Sequence, residues 1–213
     1  MKTQIKICGI KTPEALDAAI TQGASHIGFV FFAKSPRDVN FEQAAALSAR
    51  AADRVKCVGL FVNPNNAYID AVRAQMRLDI IQLHGEERPA AANMIRQRSG
   101  LETWKAIPIR TRADFAEAQK YRGSVDSVLY DAKPPEGADL PGGNGMRFDW
   151  KLLNDVSHPL PWGLAGGLHP SNVAEAIRST GAPLVDTSSG VESAPGIKDV
   201  AKIAAFCKAV LDN

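Results

Sequence analysis

Cys8 stands at the end of the apolar run "QIKIC", followed at once by Gly9 and then by a helix-like segment. A buried cysteine is usually a small hydrophobe. At the C-terminal end of a strand, facing a cleft, the same thiol could move protons. Asp131 closes a second run in "LYDAK". An aspartate in that position often caps a turn, yet partial burial would favour its neutral, proton-donating form. Arg37 in "KSPR" is either a surface arginine or, through its planar guanidinium, a bidentate partner for a carboxylate. His84 in "LHG" reads equally as a satisfied polar residue or as a ligand contact. Ser35, Asn63 and Lys105 fall at the ends of other runs.

Two further run ends carry an anion signal. "LAGGLHPSNV" sets Gly166 and Gly167 between a strand and a helix start, and "DTSSGVE" sets Ser188, Ser189 and Gly190 after the next strand. Glycines let backbone N–H groups approach an anion, and a helix N-terminus adds partial positive charge. Tight turns alone also need glycine, but the paired occurrence points to phosphate. A Walker-type lysine motif is absent, so a small phosphorylated metabolite fits better than a nucleoside triphosphate. Nothing in the spacing of His, Cys and carboxylates makes a metal ligand set, and no GxSxG elbow occurs. What remains is proton transfer on a phosphorylated compound, without metal or cofactor, with Cys8 and Asp131 as candidate base and acid.

Something must bring these residues together. Eight short runs rich in Val, Ile and Phe begin near Gln4, His26, Val55, Asp79, Glu102, Ser127, Trp162 and Pro183. Most are continuously apolar, as in parallel strands covered on both faces. Helix-like stretches intervene: "TPEALDAAITQG", "NPNNAYIDAVRAQM", "ERPAAANMIRQRSG", "TRADFAEAQKYRG", "HPSNVAEAIRSTG" and "IKDVAKIAAFCKAVL". The spacing is that of one βα unit, and eight such units predict a single-domain (β/α)8 TIM barrel spanning residues 1–213, with its active site at the C-terminal strand ends. A doubly wound sheet is the alternative, but no GxGxxG follows "KICGI". The Pro- and Gly-dense segment between Asp131 and Trp162, with a possible short helix near Asp149, is expected to serve the active site.

Composition excludes other classes. The 213 residues are 45% hydrophobic and 23% charged with a formal net charge of +2, and the basic residues are scattered, so nucleic acid is not an expected partner. No apolar stretch approaches a membrane span or a secretory h-region, which excludes a membrane partner on this reading. Cys8, Cys57 and Cys207 lie far apart, an odd count that argues for a reducing, cytoplasmic setting. Cys57 and Cys207 read as core. Whether the chain is a monomer or a homodimer is left open.

Taken in order, "KICGI", "GFVFFAKSPR", "VGLFVN", "IQLHGEE", "VLYDAK…GGNG", "LAGGLHPSNV" and "VDTSSGVE" resemble the phosphoribosylanthranilate isomerases of tryptophan biosynthesis, from Lys6 to Glu192. In "GGNG" an Asn stands third, where Thr or Ser is frequent in the family. The resemblance implies an Amadori rearrangement of N-(5'-phosphoribosyl)anthranilate to 1-(o-carboxyphenylamino)-1-deoxyribulose 5-phosphate. On it, Asp131 is the general acid that opens the furanose and Cys8 the general base at the second carbon. Arg37 holds the anthranilate carboxylate. Gly166, Gly167, Ser188, Ser189 and Gly190 hold the phosphate, and His84 and Gly145 complete the substrate-binding set. The histidine-pathway isomerases, associated with paired aspartates, would want an acid where this chain has Cys8. Indole-glycerol-phosphate synthases would want an extended N-terminal region with catalytic Lys and Glu. A non-catalytic phosphosugar-binding protein would keep the anion turns without needing Cys8 and Asp131.

Overall fold

A computed structural model describes residues 2–133, 142–143 and 145–213 of the chain. Eight strands, β1 (Gln4–Cys8), β2 (His26–Phe31), β3 (Lys56–Phe61), β4 (Ile80–Leu83), β5 (Glu102–Ile109), β6 (Ser127–Ala132), β7 (Trp162–Leu164) and β8 (Leu184–Thr187), pair in sequence order and close on themselves. All these pairings are parallel, and β8 returns to β1 with Lys6 opposite Asp186. The (β/α)8 barrel read from the strand spacing is the observed fold.

Capping chemistry explains where the outer helices begin and end. In α1 (Pro13–Thr21) the Thr12 side chain accepts from the Ala15 N–H and Pro13 opens the first turn. Asn40 caps α2 (Phe41–Ala51) and Asn65 caps α3 (Asn66–Gln75) through the N–H groups of Gln43 and Tyr68. The α4 helix (Pro89–Ser99) ends on left-handed Gly100. Then come α5 (Glu117–Lys120), α6 (Val173–Thr180), which ends on left-handed Gly181, and α7 (Val200–Leu211).

Two departures from the expectation have local causes. The α2 helix lies outside the helix-like stretches of the sequence analysis, although its buried Ala44, Leu47, Ser48 and Ala51 follow helical spacing. The expected helix over "TRADFAEAQKYRG" is a 3-10 turn at Arg112–Ala116 followed by only four α-helical residues. Asp114 there bends back to accept from the N–H groups of Arg110 and Thr111, tightening the entry. Between β6 and β7 the short helix expected near Asp149 is present among the described residues as a 3-10 turn, Trp150–Leu153, capped by the Asp149 side chain.

Strand alternation divides the core into two layers. Ile5, Ile7, Ile27, Phe29 and Phe31 point outward into the layer beneath the helices. Val58, Ile80, Trp104, Leu129 and Leu184 point inward and fill the barrel floor. Beyond β8 the chain makes a small antiparallel hairpin, β9 (Glu192–Ala194) and β10 (Ile197–Lys198), which the sequence reading did not anticipate.

Candidate active site

The C-terminal strand ends enclose a cleft of about 790 Å3, its solvent-open mouth included. Cys8, Arg37, His84, Asp131, Gly145, Gly166, Gly167, Ser188 and Ser189 all line it. Gly190 does not: it packs against the Leu168 carbonyl so closely that a Cβ would collide with it, so its lack of a side chain seats the β8 turn. Asn63 and Lys105 also stay out of the cleft. Lys105 turns to the barrel exterior, donating to the Gly85 carbonyl at 2.6 Å and to Glu87 at 3.0 Å, and Glu87 also accepts from the Asn63 N–H.

Cys8 is buried at the end of β1, and its room comes from β2. An added Cβ on Gly28 would lie 2.9 Å from the Cys8 Sγ. Burial pushes the thiol above its ordinary pKa, the nearby charge of Lys6 draws it back, Asp186 opposes that pull and Lys198 aids it. Lys6, fully buried in β1, donates to both Asp186 oxygens at 3.0 Å. Burial works against its charge, but Asp186 and Cys8 together outweigh that and the ammonium is held above its usual range. A lysine inside the apolar run "QIKIC" was the available signal for this pair.

Arg37 is buried rather than a surface arginine, and its guanidinium is already clasped. Nε and Nη2 donate to the two Glu192 oxygens at 2.8 Å each, and Nη2 also reaches the Gly143 carbonyl at 3.3 Å. Lys198 donates to Glu192 Oε1 at 2.7 Å and to the Ser188 carbonyl at 2.9 Å. Burial opposes the Glu192 charge, yet the two cations pull this carboxyl below its usual range. The unanticipated β9–β10 hairpin thus supplies the residues that fix Arg37. One edge of the guanidinium is spent, and Nη1 faces the Gly143 backbone at the cleft.

Asp131 sits across the mouth at the end of β6. Its Oδ1 accepts from the Ala132 N–H at 2.8 Å, and Oδ2 lies 3.2 Å from His84 Nε2. Two glycines crowd this pair. A Cβ on Gly142 would lie 2.6 Å from His84 Nε2, and one on Gly166 would lie 2.6 Å from the Ala132 nitrogen. Gly166 and Gly167 adopt φ of +87° and +62°, and among the described residues neither N–H makes a backbone hydrogen bond. The third residue of "GGNG", Asn144, lies outside the described residues, as do residues 134–141 of the loop expected to serve the site.

With that geometry in view, the relatives are informative. The family model for N-(5'-phosphoribosyl)anthranilate (PRA) isomerase matches residues 5–209. This chain belongs to that family. It is 51% identical over 209 residues to N-(5'-phosphoribosyl)anthranilate isomerase of Paramagnetospirillum magneticum, covering 98% of this chain and 97% of the relative. Its identity to the enzyme of that name from Rhizobium meliloti is 48% over 210 residues, covering 99% and 98%. The crystal structure of phosphoribosyl anthranilate isomerase from Thermotoga maritima superposes with a TM-score of 0.89 at 35% identity, covering 99% of this chain and all (100%) of that one. A solved isomerase in complex with reduced 1-(o-carboxyphenylamino)-1-deoxyribulose 5-phosphate superposes with a TM-score of 0.86 at 33% identity, covering 99% and 100%.

Proposed function

We infer that this chain carries out the Amadori rearrangement of N-(5'-phosphoribosyl)anthranilate to 1-(o-carboxyphenylamino)-1-deoxyribulose 5-phosphate. The observation that carries the residue assignment is the meeting of Cys8 and Asp131 in one cleft whose wall is built from the β7 and β8 turns. Asp131 gives its proton to the furanose ring oxygen as the bond from that oxygen to the first carbon breaks. The anilino nitrogen lone pair closes onto that carbon to form an iminium. The Cys8 thiolate then takes the proton from the second carbon, and the released electron pair neutralises the iminium as an enolamine. Tautomerisation of the enolamine gives the ketone.

The surroundings suit these steps. A thiolate whose conjugate acid is weakened by burial is a strong base once formed, and the cations of Lys6 and Lys198 assist its formation. Arg37, through Nη1, meets the anthranilate carboxylate. The backbone N–H groups of Gly166, Gly167 and Ser189 receive the phosphate, and Gly145 borders it. Two anchored anions hold the reacting carbons between acid and base. A related Thermotoga maritima isomerase is described as dimeric; for this chain a monomer or homodimer is proposed, in the cytoplasm, where free Cys8, Cys57 and Cys207 fit a reducing setting. Among the described residues, no helix is long and apolar enough to cross a membrane.

The test is a direct assay in which phosphoribosylanthranilate is generated in situ and the aminoketose is followed by chromatography, with Cys8→Ala alongside. Turnover by the wild type and its collapse in the variant are expected. Equal turnover in the two would remove Cys8 from the mechanism.

A further inference from the structure

Gln82 lies on β4 two residues before His84, so strand alternation points both side chains into the barrel. It is buried, at 1% exposure. Its Nε2 faces His84 Nδ1 at 3.3 Å, while its Oε1 is buried with no partner among the described residues. An orphaned amide oxygen in a barrel interior is costly. The same side chain therefore has an unused acceptor beside a histidine that itself contacts the acid. Gln82, His84 and Asp131 form one line, closed at the far end by the 3.2 Å contact.

We propose that Gln82 is a positioning residue whose amide turns over to serve His84 in both proton states of the His84–Asp131 pair. When the pair lacks its proton, His84 donates from Nε2–H to the Asp131 carboxylate. Nδ1 is then bare and accepts from the Gln82 Nε2, in keeping with the 3.3 Å and 3.2 Å contacts of the two ring nitrogens. When the pair holds one proton more, Nδ1 carries hydrogen whether the extra charge sits on the imidazolium or the Asp131 carboxyl is neutral. The Gln82 amide then presents Oε1, which gains the partner it lacks. Glu could only accept and Lys could only donate; a carboxamide does either after a half turn. The acid can thus be emptied and refilled each cycle with His84 Nδ1 paired in both states, whichever end of the amide it needs.

The neighbouring charges leave this proton to the pair. Lys6 faces it from β1 and Asp186 from β8, but these two are paired with each other. Arg37 and Lys198 share Glu192, and Lys105 beyond β5 is held by Glu87. Cys8 lies across the same cleft.

This rests on the reading of Asp131 as the acid, so the decisive measurement does not depend on activity. The full-length protein with 15N-labelled histidine is titrated between about pH 5 and pH 9, and the His84 ring nitrogens are followed, His84→Gln giving the assignment. Nδ1 is expected to be bare at the alkaline end and protonated at the acid end in the wild type, and protonated throughout in Gln82→Glu. In kinetics, Gln82→Met should lower kcat about tenfold, the worth of one hydrogen bond, with little change in KM. Gln82→Glu should displace to higher pH the limb of the kcat/KM profile that belongs to the pair. A wild-type Nδ1 that keeps one protonation state across the range would overturn the proposal, as would a Gln82→Glu profile that superimposes on the wild type. Should Gln82→Glu fail to fold, the wild-type titration decides alone. Full turnover by Asp131→Asn would instead remove the acid assignment while leaving that titration interpretable.

Discussion

At the mouth of the barrel the buried charges face opposite charges: Lys6 meets Asp186, and Arg37 and Lys198 meet Glu192. At the floor, His26 is buried against the Trp104 ring, with centroids 5.2 Å apart, and its Nδ1 meets the uncharged Ser25 hydroxyl at 2.8 Å. Burial burdens a charge equally at both ends. The mouth answers by pairing, which keeps ionisable groups available for chemistry. The floor answers by neutralising its histidine, which keeps the Val58, Ile80, Trp104, Leu129 and Leu184 cluster dry. On the proposed function, chemistry and stability are therefore divided along the barrel axis, and substitutions should separate them.

The largest effects are expected at the mouth, on rate. Asp131→Asn should lower turnover by ~10²–10⁴-fold, the usual worth of a general acid. That corresponds to roughly 3–5 kcal/mol of barrier. Because Asn can still accept from the Ala132 N–H and Asp131 faces an open cleft, the unfolding midpoint in urea should barely move. A comparable loss of stability would mean that the mouth is part of the structural core and would erase the division.

The converse substitution lies at the floor. Trp104 is buried on β5, a strand whose end does not reach the cleft. Its removal as Trp104→Ala should cost ~3–5 kcal/mol of stability, as for other buried large aromatics. The folded fraction should retain kcat within a few-fold. Denaturant unfolding and the isomerase assay on the same preparation check this, and a kcat loss as deep as that of Asp131→Asn would show that the floor tunes the reaction.

The same division explains what could be read from the sequence. The eight strands and their order were legible because parallel strands covered on both faces are continuously apolar, and because glycine, proline and Asn or Thr caps punctuate each unit. Cys8, His84 and Asp131 were legible as polar residues at run ends. Lys105 and Asn63 were read the same way, yet Lys105 lies within β5 and turns outward to Glu87, and the Asn63 amide oxygen accepts from the Glu86 N–H; one residue of strand phase decides, and run ends do not fix phase. Glu192 and Lys198 were missed because their importance rests on a hairpin that brings them under Arg37, 155 residues away in the chain from Glu192. Lys6 and Gln82 were legible in principle, as polar residues interrupting apolar strands, but only the closed barrel shows which groups they meet.

The smallest expected effect lies in pH, and it belongs to the floor. Burial, and then the nearby cations Lys6 and Lys56, depress the His26 pKa from 6.5 to about 4. The unfolded chain therefore binds a proton more readily than the folded one between these values. Stability from a neutral His26 is fully present above pH ~6.5 and is lost as the pH falls toward ~4, amounting to roughly 1–3 kcal/mol. His26→Gln, which is neutral in both states, should flatten that part of the stability profile. Urea unfolding near neutrality and again in mild acid, for both proteins, measures it. If the variant loses as much stability as the wild type over that interval, the acid sensitivity lies with the ion pairs of the mouth instead. The floor would then be indifferent to protons, and the mouth would be the acid-sensitive end of the barrel.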